Sequence, residues 1–265
     1  MKFARSWIVA TVAILVMGSA LAAQSPGPPR YTSASVVHGA TFSSGPFAGN
    51  TFISIFGEDL AWSTRRVGQA DIRANRLPTS LGGVQVLIGP VQAYLVFVSP
   101  TQINALVSSD LTPGDYSLRV LRDSWAGPAA SVGVRDAAPG LFMLQNGIPV
   151  LTRPDGSLVD QTNPARPGSI VTIWATGLGS TTPNPLPGEL PRAAAMLTRL
   201  AEFEIWLSGI KVSPDHIFYA GVAPGFAGLY QVNLLLPENA PLFPEIQIGY
   251  PGLLSPPGQK IFVVP

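Results

Sequence analysis

The chain contains no cysteine. Disulfides and thiolate metal centres are therefore excluded, and so is a lipid anchor that needs cysteine at its cleavage site. Charge is scarce too: Asp, Glu, Lys and Arg make up 12% of 265 residues, and the formal net charge is +1. Such a surface has no basic field to draw nucleic acid or anionic lipid. Histidine occurs twice, as His38 in an opening strand and His216 in a turn, and a lone His near a turn reads as solvated. No G-x-S-x-G, H-E-x-x-H or phosphate-binding glycine loop is present. Beyond the N-terminus, Pro, Gly or charge interrupts every apolar run before it reaches the length of a membrane span.

What is present at the N-terminus is an export signal. Lys2 and Arg5 precede the apolar residues 7–17, and Ala20-Leu21-Ala22 forms an A-x-A cleavage site. Cleavage after Ala22 is expected, with an uncleaved anchor as the alternative, and the destination is the periplasm, the outer cell surface or the extracellular space. Loss of Lys2 and Arg5 with the leader takes the net charge to about −1. Roughly 240 mature residues without disulfides must be held by their core, as one large or two ordinary domains. Gly and Pro number 27 each, and 46% of the chain is hydrophobic. That mixture suits short strands joined by many turns.

One pattern occurs twice. Residues 52–61 read FISIFGEDLA and residues 170–179 read IVTIWATGLG; residues 100–107 read PTQINALV and residues 229–237 read LYQVNLLLP. In each copy a strand ends at a turn carrying Gly57 or Gly177, and a later strand carries Gln-x-Asn. At such a turn a Cβ is least welcome, which lets Leu60 and Leu178 drop into the core. Turn signals recur every eight to twelve residues between alternating runs, the signature of antiparallel β-sandwiches. The expected fold class is all-β, with two tandem antiparallel β-sandwiches. The expected division is a leader at 1–22, a Pro-rich linker at 23–34, a first sandwich at 35–137, a connecting hairpin and linker at 138–166, and a second sandwich at 167–265. Residues 191–201 are the one candidate helix, with Pro191 at its start.

Candidate binding residues are few. The loop between two strands at 219–230 holds three glycines and three aromatics. It reads as folding its aromatics into the edge of its own core, with presentation of Phe226 and Tyr230 to a sugar or a protein partner as the sharper alternative. Trp125 reads as a loop tip, while Trp174 and Trp206 lie inside strand patterns and read as core. Gln102 with Asn104, and Gln231 with Asn233, each share a strand face. They read as amides that satisfy the fold, with a ligand-facing polar row as the sharper alternative. Glu58 and Asp59 are too few oxygens for calcium, and no metal or cofactor is expected. Glu202 and Glu204 share a strand face, and a polysaccharide hydrolase would instead need two carboxylates roughly 5–10 Å apart in a cleft.

The order VVHGATF, FISIFGEDLA, LGGVQVLIG, VSPTQIN, APGLF, DGSLV, NPARPGSIVTIWATGLG and YAGVAPGFAGLYQVNLLLP resembles an uncharacterised secreted C-terminal domain family of acidobacteria such as Solibacter. The match runs over residues 35–264. It departs at residues 37–41, where an Asn-Ala-Ala-Ser-like run is usual, and at residues 48–51, where Pro-Gly-Ser is usual. The resemblance implies tandem immunoglobulin-like sandwiches similar to IPT/TIG domains and carries over no activity. The sequence thus predicts an exported, non-catalytic protein for adhesion, cell-surface scaffolding or protein assembly. A carbohydrate-binding module is the alternative, and a polysaccharide hydrolase the third reading. The partner is an unknown protein or cell-surface glycan, with no nucleic acid and no membrane span after signal cleavage.

Overall fold

The computed structural model describes residues 27–144 and 147–264, so the expected leader at 1–22 lies outside the described residues. Alternating strands pack into four sheets, two in each half. In the first half, one sheet has the order Val36–His38, Phe52–Phe56, Gln102–Leu106, Tyr94–Val98, Arg65–Arg66. Its mate has the order Phe47–Ala48, Ala130–Arg135, Gly114–Arg122, Val84–Ile88, Val91–Gln92, and Trp125–Ala126 also pairs with Gly114–Arg122. Pairing is antiparallel except for Phe47–Ala48, which runs parallel to Ala130–Arg135. Alternate side chains from the two sheets, among them Ile53, Ile55, Ile103, Val86, Leu118 and Val120, meet in a dry core. Burying each such side chain contributes about 1.5–3 kcal/mol.

The second half repeats this plan. One sheet has the order Gly140–Leu141, Ile170–Thr176, Tyr230–Leu235, Ile217–Val222, Ala195–Leu197, Thr181–Thr182, with Leu151–Thr152 also paired to Ile170–Thr176. The other has the order Ile210–Lys211, Glu204–Leu207, Ile246–Tyr250, Leu253–Leu254. Val171, Ile173, Val232 and Leu234 face Ile205, Leu207, Ile246 and Ile248 across the core. Residues 191–201 are not a helix. Ala195–Leu197 is a strand at the margin of the sheet, paired to Ile217–Val222, and Leu200–Glu202 is a single 3-10 turn. Buried Ala195 and Leu197 flank exposed Met196, a period of two that tertiary pairing reads as strand despite the helix-compatible composition.

Both halves carry the repeat in the same register. Ser54 lies opposite Asn104 and Phe56 opposite Gln102, as Thr172 lies opposite Asn233 and Trp174 opposite Gln231. Even the irregularity recurs, as a bulge between Leu95 and Phe97 in one copy and between Ile217 and Tyr219 in the other. Leu60 and Leu178 are fully buried, and a Cβ at Gly57 would run into the Arg30 carbonyl.

The segments between and before the sandwiches are docked. Leu141, Leu151, Val159 and Ala165 belong to the second core. Tyr31 is buried on the first half, where its hydroxyl donates to Pro128 O at 2.6 Å and accepts the Val120 amide at 2.7 Å. The two halves also share contacts. Leu77 and Leu106 pack with Ala227, and Phe52, Tyr94, Val96 and Leu190 close the cluster. Beside it, the Thr176 hydroxyl donates to Gly228 O at 2.8 Å, lies 3.3 Å from Asn50 O and accepts the Phe52 amide at 3.3 Å. Backbone bonds join Leu77 to Gly188 and Leu190 to Asn75.

His38 stands at this junction. It is buried, with Nε2 at 3.0 Å from Ala138 O and Nδ1 facing the Ala40 and Thr41 amides at 3.2 and 3.3 Å. Two donors aimed at Nδ1 select the neutral tautomer that carries its proton on Nε2. Burial holds the imidazole below its ordinary pKa, with the Ala138 carbonyl pulling partly the other way. The unfolded chain therefore binds the proton first as pH falls. Stability from His38 is intact above the unfolded value of about 6.5 and is lost below it, down to the depressed folded pKa. Urea midpoints measured from pH 8 to pH 5 are expected to fall through this window, and His38→Gln to flatten the fall. An equal slope in that variant would assign the proton uptake elsewhere.

Candidate functional site

Two surfaces and one groove gather the candidate side chains. The first surface is a corner of the first sandwich. Trp125 follows the turn after Gly114–Arg122, in a two-residue strand whose pairing sets Trp125 opposite Arg122. Its ring meets Trp62 edge-on at 6.2 Å. Both rings lie over the Arg122 guanidinium, at 3.8 Å for Trp62 and 5.2 Å for Trp125. Trp62 Nε1 donates to Asp123 Oδ2 at 2.6 Å. Arg122 is 1% exposed and donates to Asp59 O and Gly27 O, both at 2.6 Å. Trp125 is thus no free loop tip. It is half of a paired indole lid whose outer faces meet solvent. The 61 residues between Trp62 and Asp123 leave no local signal for this pairing.

The second surface is the loop after Ile217–Val222. Ala223 and Leu229 close its base by a backbone bond, the Gly225 amide donates to Pro191 O, and Ala227 is buried in the shared cluster. Phe226 is 62% exposed on this fixed frame. Tyr230 does not join it, which removes it from the candidate contact residues. It is 0% exposed, and its hydroxyl donates to Gly179 O. Burial raises its phenol pKa. The physical reason lies in the strand period. Gln231 and Asn233 point out, so Tyr230, Val232 and Leu234 must point in.

The groove lies over the outer face of the second half's larger sheet. Its volume is about 460 Å³, and Trp174, Phe218, Ile170, Thr172, Gln231 and Asn233 line it, with the 152–156 turn as one wall. Asn233 Oδ1 accepts from Thr172 Oγ1 at 3.1 Å and from Gln231 Nε2 at 2.9 Å. The first half holds the same triad, where Asn104 Oδ1 accepts from Ser54 at 3.0 Å and from Gln102 at 2.8 Å. Trp174 is half-buried on this outer face, and Nε1 donates to Thr152 Oγ1 at 3.1 Å. It lines the groove as well as packing, which the strand pattern alone does not reveal.

Glu202 and Glu204 are engaged with separate cations. Glu202 takes both oxygens to Arg199, whereas Glu204 accepts from Lys211 at 2.5 Å and from Trp206 Nε1 at 3.0 Å. The bond from Lys211 holds the Glu204 carboxyl below its ordinary pKa. Glu58 is paired to Arg30 at 2.5 Å. Among the described residues, no three His, Asp or Glu side chains converge as metal ligands, and no helix is long and apolar enough to cross a membrane.

Residues 35–133 match the family model of the IPT/TIG domain. The fold is accordingly all-β and immunoglobulin-like, with an IPT/TIG domain in the first half. No curated protein matches the sequence. Among solved structures, the chain is similar to SGBP-B of the Bacteroides ovatus mixed-linkage glucan utilization locus, in complex with a mixed-linkage heptasaccharide. Identity is 11% over 92% of this chain and 47% of that chain, with a TM-score of 0.35. The surface glycan-binding protein PbSGBP-B of Prevotella bryantii shows 12% identity over 86% of this chain and 41% of that one, with a TM-score of 0.26. Domains 5–6 of the S-layer protein SbsC show 7% identity over 89% and 98%, with a TM-score of 0.26. The chain spans less than half the length of the first of these. Likeness this remote carries no argument about what the chain binds.

Proposed function

We propose that this chain is an exported, non-catalytic recognition and scaffolding protein, of the acidobacterial secreted-domain type that its sequence resembles. One observation carries the reading. The two sandwiches are joined by a buried apolar cluster and by the Thr176 hydroxyl, which bridges both halves. Such a lock holds the faces of the two sandwiches at a fixed angle, as a scaffold that presents binding surfaces needs. The unit so formed begins by residue 27 and includes the 138–166 segment, whose apolar side chains enter the second core. A second reading, a carbohydrate-binding module, is favoured by the exposed faces of Trp125 and Phe226. Export rests on the leader at 1–22 and places the mature chain in the periplasm, on the outer surface or outside the cell.

Fractionation with N-terminal sequencing tests the reading. A chain that begins at Ala23, outside the inner membrane and resistant to protease between residues 137 and 167, is the expected result. Full-length protein in the cytoplasm, or ready cleavage between the halves, would overturn it.

A further inference from the structure

We propose that the groove over Trp174 is a binding site for a neutral oligosaccharide, separate from the surface of Trp125 and Phe226. The inference rests on the reading of a non-catalytic binding protein and names the ligand class and the place.

A sugar ring has an apolar C–H face and a rim of hydroxyls that both donate and accept. The groove offers complements to each. Trp174 and Phe218 supply aromatic surface, and Phe218 is 51% exposed. Asn233 spends its carbonyl oxygen on Thr172 and Gln231. That fixes both amides and leaves the Asn233 N–H pair and the Gln231 carbonyl without a protein partner among the described residues, a donor and an acceptor side by side. Arg153 is the one charged side chain among the lining residues. No carboxylate lines the groove. Arg153, in its wall, is turned onto the carbonyls of Leu158, Asn163 and Pro164. Asp155, at the tip of the adjoining turn, accepts from Ser157 N and Oγ. Hydroxyl groups would find fixed amide partners there at little cost of ordering.

The repeat separates fold from site. The amide triad occurs in both halves, so by itself it is part of the fold. The second copy adds the walls. Trp174 stands where the first copy has Phe56. Phe218 at the bulge points to solvent, while Val96, at the matching bulge, packs into the cluster between the halves. The turn that carries Arg153 closes one side. The volume of about 460 Å³ lies within the range of ligand pockets.

Calorimetric titration of the purified protein tests this with neutral hexaoses of gluco, xylo, manno and galacto configuration, and with a hexauronate as the charged probe. At least one neutral hexaose is expected to bind. Phe218→Ala and Gln231→Ala are each expected to weaken it roughly tenfold or more, with unchanged thermal unfolding in Phe218→Ala, and Leu242→Ala, another exposed apolar side chain, to leave it intact. Binding that survives in Phe218→Ala and Gln231→Ala, or that is lost only in Trp125→Ala or Phe226→Ala, would overturn the site while glycan recognition stands. Preference for the hexauronate would overturn the ligand class. Binding of none of the hexaoses would overturn the inference and leave the exported scaffold, which fractionation tests, untouched.

Discussion

Gly177→Ala is expected to lower the melting temperature of the purified protein by roughly 6–12 °C, from a loss of about 3 kcal/mol or more. Two causes add. Gly177 sits at φ +75°, where a side chain costs about 1–3 kcal/mol. Its new Cβ would also be driven into the Ala138 carbonyl oxygen and lie 2.9 Å from Thr51 Oγ1. Both neighbours are fixed. Ala138 O already accepts from His38 Nε2, the Ala138 amide donates to Gly177 O at 2.7 Å, and Thr51 belongs to the first half. Relief therefore requires the halves to move apart. Gly156→Ala separates the two causes, because φ there is +84° but nothing stands within 4 Å of the added methyl. That variant is expected to show the backbone cost alone. Equal losses in both would mean that the close approach at Gly177 contributes nothing.

The same junction shows what alternation reveals and what it hides. Phe52–Phe56 and Ile170–Thr176 are legible because a period of two and a glycine turn are local properties of the chain. The face of Tyr230 was equally legible. Once Gln231 and Asn233 point outward, Tyr230 must point inward, and its place at the end of an aromatic-rich loop was the weaker signal. The helix expected at residues 191–201 failed for the opposite reason. Its strand forms because Ile217–Val222 offers an open edge, a fact stored in another part of the chain. The bulges beside Phe97 and Tyr219 belong to strand pairs rather than to single strands. The groove escapes a reading by motif for this reason too. Its floor joins two strands about sixty residues apart, and its exposed ring sits at a bulge.

Arg122→Met is expected to cost about 3 kcal/mol or more in urea unfolding. Replacing a whole buried ion pair by apolar groups is often neutral, because both partners lose their need of each other. Here the partners of the guanidinium are the backbone carbonyls of Gly27 and Asp59, which no side-chain substitution removes. Methionine would fill much of the space and leave two acceptors unpaired, each costing about 1–3 kcal/mol. It would also remove the cation beneath Trp62 and Trp125, whose stacking adds about 1 kcal/mol. Among the described residues the Arg122 Nε has no hydrogen-bond partner, so the side chain is held by its two Nη groups, the Asp59 carboxylate at 4.0 Å from Nη1, and the rings. A double-mutant cycle with Trp62→Phe is expected to show coupling, since the indole and the guanidinium form one stack. Wild-type stability in Arg122→Met would mean that the carbonyls find water, and that the paired indoles of the corner stand without the cation between them and the core.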